Sequence, residues 1–184
     1  MRKLTLLLFL LVCAAFAWGV YWFVGATATE RGLAAWLEAR RTEGWTAEAA
    51  SLSTGGFPNR FDTTYDALVL DDPETGVGWS APWFQILSLS YRPTHLIAAW
   101  PDTHELRLDG ETVAVSSDRM IGSLELGTTP ALPLDRLVLE STEIGLVSTG
   151  GWRAEIAAAQ LALRETPDRA EAPGHDLAPP PTGL

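Results

Sequence analysis

Hydrophobic positions change their rhythm twice along this chain. From Leu4 to Val24 they are continuous, with no Asp, Glu, Lys or Arg in the run. As a helix this run measures roughly 31 Å, about the thickness of a bilayer's hydrocarbon core. From Thr27 to Arg41 the rhythm is helical: Leu33, Trp36, Leu37 and Arg40 share a face, Thr27 and Glu30 have capping-box spacing, and Gly44 supplies a stop. This second stretch is expected either to hinge at Gly25 or to form one rod with the first. From Trp45 onward the period is two, the mark of strands.

Arg60 to Leu70 sets Phe61, Thr63, Tyr65, Ala67 and Val69 on one face, and Asp62, Thr64 and Asp66 on the other. Leu87 to Tyr91 alternates again. Asp109-Gly110 is a favoured two-residue hairpin turn. It predicts Leu108 opposite Glu111, Leu106 opposite Val113 and His104 opposite Val115, so that Leu106, Leu108, Val113 and Val115 share a face. Arg119–Leu126, Leu134–Glu140 and Thr142–Val147 read as further strands. Arg153–Arg164 is rich in alanine, and Trp152, Ile156, Ala159 and Leu163 have helical spacing, yet its neighbours continue a meander. A strand is the reading adopted.

The expected fold is therefore mainly β. A transmembrane anchor (1–25) and a membrane-proximal helix (26–44) precede an antiparallel, curved meander sheet (45–165). Residues 166–184, rich in Pro, Gly and acid, read as a tail or the start of a further C-terminal part. A sheet with one apolar face needs a second layer over that face, or else forms a groove.

Composition sharpens the membrane reading. Met1-Arg2-Lys3 precedes the apolar run, and Trp18, Tyr21 and Trp22 lie near its far end, where amphipathic rings sit at lipid headgroups. Ala15-Phe16-Ala17 and Ala26-Thr27-Ala28 offer the small-x-small pattern of a signal peptidase site. A cleavable apolar region is about 7–15 residues long, however, so length favours a retained anchor. Arg2 and Lys3 favour a cytoplasmic N-terminus, although Arg31, Arg40 and Arg41 follow the far end. That orientation implies a single-pass inner-membrane protein with its bulk in the periplasm. Cys13 lies inside the run after Val12, not after the small residue a lipidation signal needs, and with no second cysteine there is no intrachain disulfide.

Two of the 13 basic residues precede the run and all 23 acidic ones follow it. The remainder carries a formal charge of about −12. Nucleic acid is thereby excluded as a partner, because its binding depends on basic side chains neutralising phosphates.

Candidate chemistry is sparse. His95, Asp102, His104 and Glu105 match no zinc spacing, and the hairpin register sends His104 and Glu105 to opposite faces. Ser80, Ser123 and Ser141 lie in no nucleophile elbow. The acidic turn at Asp71-Asp72-Pro73-Glu74 lacks the alternation of a calcium loop. No metal, cofactor or catalytic residue is expected, and the chain is read as a non-enzyme.

Three segments carry a resemblance: Gly56-Phe57-Pro58-Asn59-Arg60-Phe61-Asp62; Trp79-Ser80-Ala81-Pro82-Trp83; and Ser90-Tyr91-Arg92-Pro93 with His95 and Ala98-Ala99-Trp100-Pro101. Together they resemble a family of proteobacterial envelope proteins known as a domain of unknown function. Its members begin with a membrane segment and carry a G-[FY]-P-x-R-F element entering a strand. That element is also distantly similar to one in AsmA-like envelope proteins, which the resemblance links to lipid handling and outer-membrane biogenesis. Members are generally longer, which implies that this chain is part of a longer protein. Gly56, Phe57, Pro58, Arg60, Phe61, Ser80, Pro82, Arg92, Pro93 and Pro101 are the family-motif positions, and they read as structural: Gly56 and Pro58 set a turn, and Arg60 pairs with an acid. Trp79, Trp83, Tyr91 and Trp100 either pack under the sheet or line a groove for an acyl chain. The function implied is lipid handling or envelope assembly at the inner-membrane bilayer, with lipid or other envelope proteins as partners. The alternative is a scaffold docking through its acidic face or a sheet edge.

Overall fold

One unbroken helix, α1 (Arg2–Thr42), opens the chain. The computed structural model describes residues 2–127 and 133–164, so the expected tail at 166–184 lies outside the described residues. Gly25 does not interrupt α1, since a lone glycine costs a helix only about 1 kcal/mol. Of the two alternatives the one rod holds, so the capping-box spacing of Thr27 and Glu30 starts no helix, and the Glu30 carboxylate instead accepts a hydrogen bond from the Thr54 N–H at 2.6 Å. The helix stops as its sequence dictates. Gly44 has φ +93°, and the Trp45 N–H reaches back to the Arg40 carbonyl at 3.0 Å, a Schellman closure.

Ten described strands follow, and every pairing is antiparallel. They are β1 (Thr46–Glu48), β2 (Ser51–Gly55), β3 (Arg60–Asp72), β4 (Val77–Leu89), β5 (Arg92–Ala99), β6 (Thr103–Leu108), β7 (Glu111–Ser116), β8 (Arg119–Leu126), β9 (Leu134–Ser148) and β10 (Arg153–Arg164). β1 and β2 pair with two halves of β3. β5 and β6 likewise share one edge of β4, and β7 and β8 share one edge of β9. The ten strands are thus a single meander in which three lines are broken in the middle. The hairpin at Asp109-Gly110 has the register its sequence predicts, Leu108 facing Glu111, Leu106 facing Val113 and His104 facing Val115. Arg153–Arg164 is a strand, paired along its length with β9. The two strands expected between Leu134 and Val147 are one, β9.

The breaks line up. Ala67 in β3 has φ +47° and Glu143 in β9 has φ +50°. Ala67 lies across from Pro82, in the gap between the pairs Asp66–Trp83 and Leu68–Ala81. The line continues through Trp100–Asp102, between β5 and β6, and through Ser117-Asp118, between β7 and β8, where the Ser117 N–H donates to the Asp102 carbonyl at 2.8 Å. It ends at Glu143, beside Asp118, whose N–H donates to Thr142. A crease therefore crosses the sheet from β3 to β9. At Ala67 and Glu143 the side-chain alternation slips by one: Tyr65 is buried, Asp66 and Ala67 are exposed and Leu68 is buried, just as Ser141, Thr142, Glu143 and Ile144 follow one another in β9. The expected face of Phe61, Thr63 and Tyr65 thus continues through Leu68 and Leu70, not through Ala67 and Val69. An L-residue at positive φ is strained by about 1 kcal/mol, and Ala67 is exposed. Ala67→Gly should therefore stabilise the protein by about that amount, read as a rise in melting temperature. A fall would mean that the methyl group has a packing role this geometry does not give it.

Candidate functional site

Two places gather the motif residues: the joint between α1 and the sheet, and the crease. At the joint, Trp18, Tyr21 and Trp22 turn inward to the domain. Trp18 Nε1 donates to the Pro58 carbonyl at 2.9 Å, the Tyr21 hydroxyl to the Ser90 carbonyl at 2.6 Å, and Trp22 Nε1 to the Arg60 carbonyl at 2.7 Å. The Trp22 ring meets Phe57 edge-on at 5.4 Å and lies 6.1 Å from Phe61. Gly25 is required here, because a Cβ on it would sit 2.5 Å from Phe61 Cζ. Gly56 (φ +97°) closes the turn, with the Arg60 N–H on its carbonyl at 2.9 Å. Arg60 pairs with Asp62, which raises the guanidinium's pKa further through that hydrogen bond. Tyr91, Arg92 and Pro93 form the neighbouring turn and the start of β5.

The remaining motif residues lie at or near the crease. Pro82 faces Ala67, and a proline in mid-strand has no N–H for the ladder. Pro101 lies between β5 and β6 and is buried. Ser80 pairs with Val69 and Glu105 just beyond.

Beside the joint, α1 covers only part of the sheet. Leu37 packs with Ala47, Tyr65 and Leu68 in a buried cluster that Leu33, Leu70, Trp79, Phe84 and Ile86 extend. An open groove of about 240 Å³ remains there, lined by Leu33, Trp36, Tyr65, Leu68, Leu70, Trp79, Phe84 and Ile86. Burial pushes the Tyr65 phenol up to about 12, so it stays neutral. Trp79 and Phe84, five residues apart, would face opposite ways in a straight strand. Here their rings meet edge-on at 5.2 Å, because the crease lies between them. Phe84 also contacts Tyr65 and Trp100.

The same face continues away from the helix in directly paired rows. One runs Thr63, Ile86, Ala98, Gly122, Leu139, Leu161, and the next runs Phe61, Ser88, Leu96, Leu124, Leu137, Leu163. The Trp100 ring lies over Gly122, where a Cβ would come within 3.2 Å. Among the described residues no second layer covers the far end, and Leu161 and Leu163 are each 49% exposed.

The four aromatic candidates therefore separate. Trp79 lines the groove and Trp100 lies on the same face, next to Phe84. Trp83 pairs with Asp66 on the opposite face, and Tyr91 lies at the turn after β4. Residue type alone does not reveal Leu33, Trp36, Leu68 and Phe84 as groove residues; the helix and the crease bring them together. The histidines separate as well. His104 is buried against Trp79 (ring centroids 6.2 Å apart), and burial lowers its pKa while the Pro101 backbone opposes the shift. His95 contacts Ser123 at 3.2 Å. Among the described residues no three His, Cys, Asp or Glu side chains gather to hold a metal. A broader hollow of about 400 Å³ has Ser80, Pro82, His104, Glu105, Ser116 and Val147 in its lining.

These features define a class: a mainly antiparallel β protein carried on one long N-terminal helix that is apolar enough to span a membrane, with a half-covered apolar sheet face. The chain belongs to the family described as "Uncharacterized protein conserved in bacteria (DUF2125)", whose model matches residues 22–182. No curated protein and no solved structure matches it.

Proposed function

We propose that this is a non-enzymatic inner-membrane protein with its sheet in the periplasm, which receives the acyl chain of a lipid on its apolar face and serves lipid handling or envelope assembly. The observation that carries this reading is the groove between Leu33, Trp36 and β3–β4, continued by apolar rows out to Leu161 and Leu163. An apolar surface of this extent, open beside a membrane helix, favours a ligand that is itself apolar. The likeness of Gly56–Phe61 to the element of AsmA-like envelope proteins points the same way.

Lipid extracted from the detergent-purified full chain tests it. Mass spectrometry should find acyl lipid retained with the wild type. The double substitution Leu161→Gln and Leu163→Gln should reduce it several-fold with little loss of stability, since both side chains are half exposed. Absence of retained lipid from the wild type would sink the proposal. The free edge of β10, with no strand beyond it among the described residues, favours a second reading, a partner added as a strand. Site-specific crosslinks from Gln160 to another envelope protein in cells, without lipid retention, would select it.

A further inference from the structure

The hydrogen bonds of the joint fix more than the angle of the domain. They hold the turns at 56–60 and 89–91 alongside residues Trp18 to Trp22. The uncharged apolar run continues beyond them to Val24. At 1.5 Å per residue the two turns therefore sit roughly 3–9 Å inside the end of the run. Their side chains suit that depth. Phe57 is 60% exposed, Tyr91 59% and Leu89 36%. The flanking charges are Arg92, with no acid from 88 to 93, and Arg60, which is paired with Asp62, in a chain of net charge −10. Arginines beside aromatic rings suit a headgroup layer, where the stem lies in lipid and the guanidinium in water.

The backbone suits it too. In lipid an unpaired carbonyl is costly, and irregular backbone is tolerated only where its polar groups are satisfied. Here the carbonyls of Gly56, Pro58, Asn59, Arg60 and Ser90 all accept hydrogen bonds. Three of their donors come from α1 itself.

We infer that this rim of the sheet, tipped by Phe57, Leu89 and Tyr91, is seated in the lipid leaflet that α1 enters. The bilayer is the occupant of this second contact. The lowest apolar row, from Phe61 to Leu163, then ends at the leaflet, and an acyl chain reaches the sheet face without crossing water. The inference rests on the reading of α1 as a membrane anchor, and its test keeps the two apart.

The full-length chain is reconstituted into vesicles of phosphatidylethanolamine and phosphatidylglycerol, with one nitroxide label per protein. The native Cys13 reports the anchor. In a Cys13→Ser background, Asn59→Cys and Tyr91→Cys report the rim, and Asp109→Cys reports the distal hairpin. Collision with oxygen is compared with collision with an aqueous nickel chelate. The expected result is nickel access several-fold lower at 59 and 91 than at 109, with Cys13 in lipid. If Cys13 is in lipid while 59 and 91 are as nickel-accessible as 109, the rim is not seated and the inference falls while the anchor stands. If Cys13 itself is accessible to nickel, the anchor reading falls, and the inference with it.

Discussion

Phe61→Ala should cost about 3–5 kcal/mol, the range for emptying a buried phenylalanine site, and should loosen the domain from α1. Phe61 is 6% exposed, sits against Gly25 and lies 6.1 Å from Trp22. Its loss leaves a hole at the point where helix and sheet are joined. Gly25→Val attacks the same contact by overfilling, at about 1–3 kcal/mol or more, because even a Cβ there sits 2.5 Å from the ring. Thermal unfolding in detergent measures both. A double variant as unstable as the sum of the two would argue against a shared contact, since neighbours that share a cavity do not add. Wild-type stability in Phe61→Ala would mean that the joint is not formed in solution.

The second large effect separates two adjacent residues of β3. Leu68→Ala should cost about 2–5 kcal/mol and Val69→Ala about 1 kcal/mol or less. Leu68 is 3% exposed beneath Leu37 and beside Tyr65, whereas Val69 pairs with Ser80 on the opposite face. Unbroken alternation from Phe61 predicts the reverse order, with Val69 inward. Chemical denaturation of the two variants therefore tests the crease directly, and a larger loss in Val69→Ala would remove it.

Some features are legible along the chain. The Asp109-Gly110 hairpin was readable because its turn chemistry fixes the register locally, and Gly44 marked the end of α1 for the same reason. Arg153–Arg164 was harder, because alanine spacing favoured a helix; its pairing with β9 overrode that propensity. Pro82, which has no N–H for the ladder, faces Ala67 at the break in β4, a signal that the period-two reading passes over. The residues that bend the sheet were not readable. Positive φ falls on Ala67 and Glu143, which carry no glycine or asparagine signature. Trp18, Tyr21 and Trp22 have the composition of an interfacial belt, and the fold sets their donors on the carbonyls of Pro58, Ser90 and Arg60.

The uncharged run from Leu4 to Val24, the period-two meander after Trp45 and the position of its tightest turn all follow from the order of residues along the chain. Each is a matter of composition or of neighbours a few residues apart. That this run and the stretch after it form one rod, that Gly25 admits Phe61, and that the crease brings Trp79 and Phe84 to one groove are settled by tertiary packing. Those outcomes depend on contacts between residues tens of positions apart, where shape and backbone pairing, not local propensity, set the energy. The same reason divides the motif residues. Gly56 to Phe61 and Ser90 read as turn and strand entry along the chain, and become the joint only when α1 lies against them.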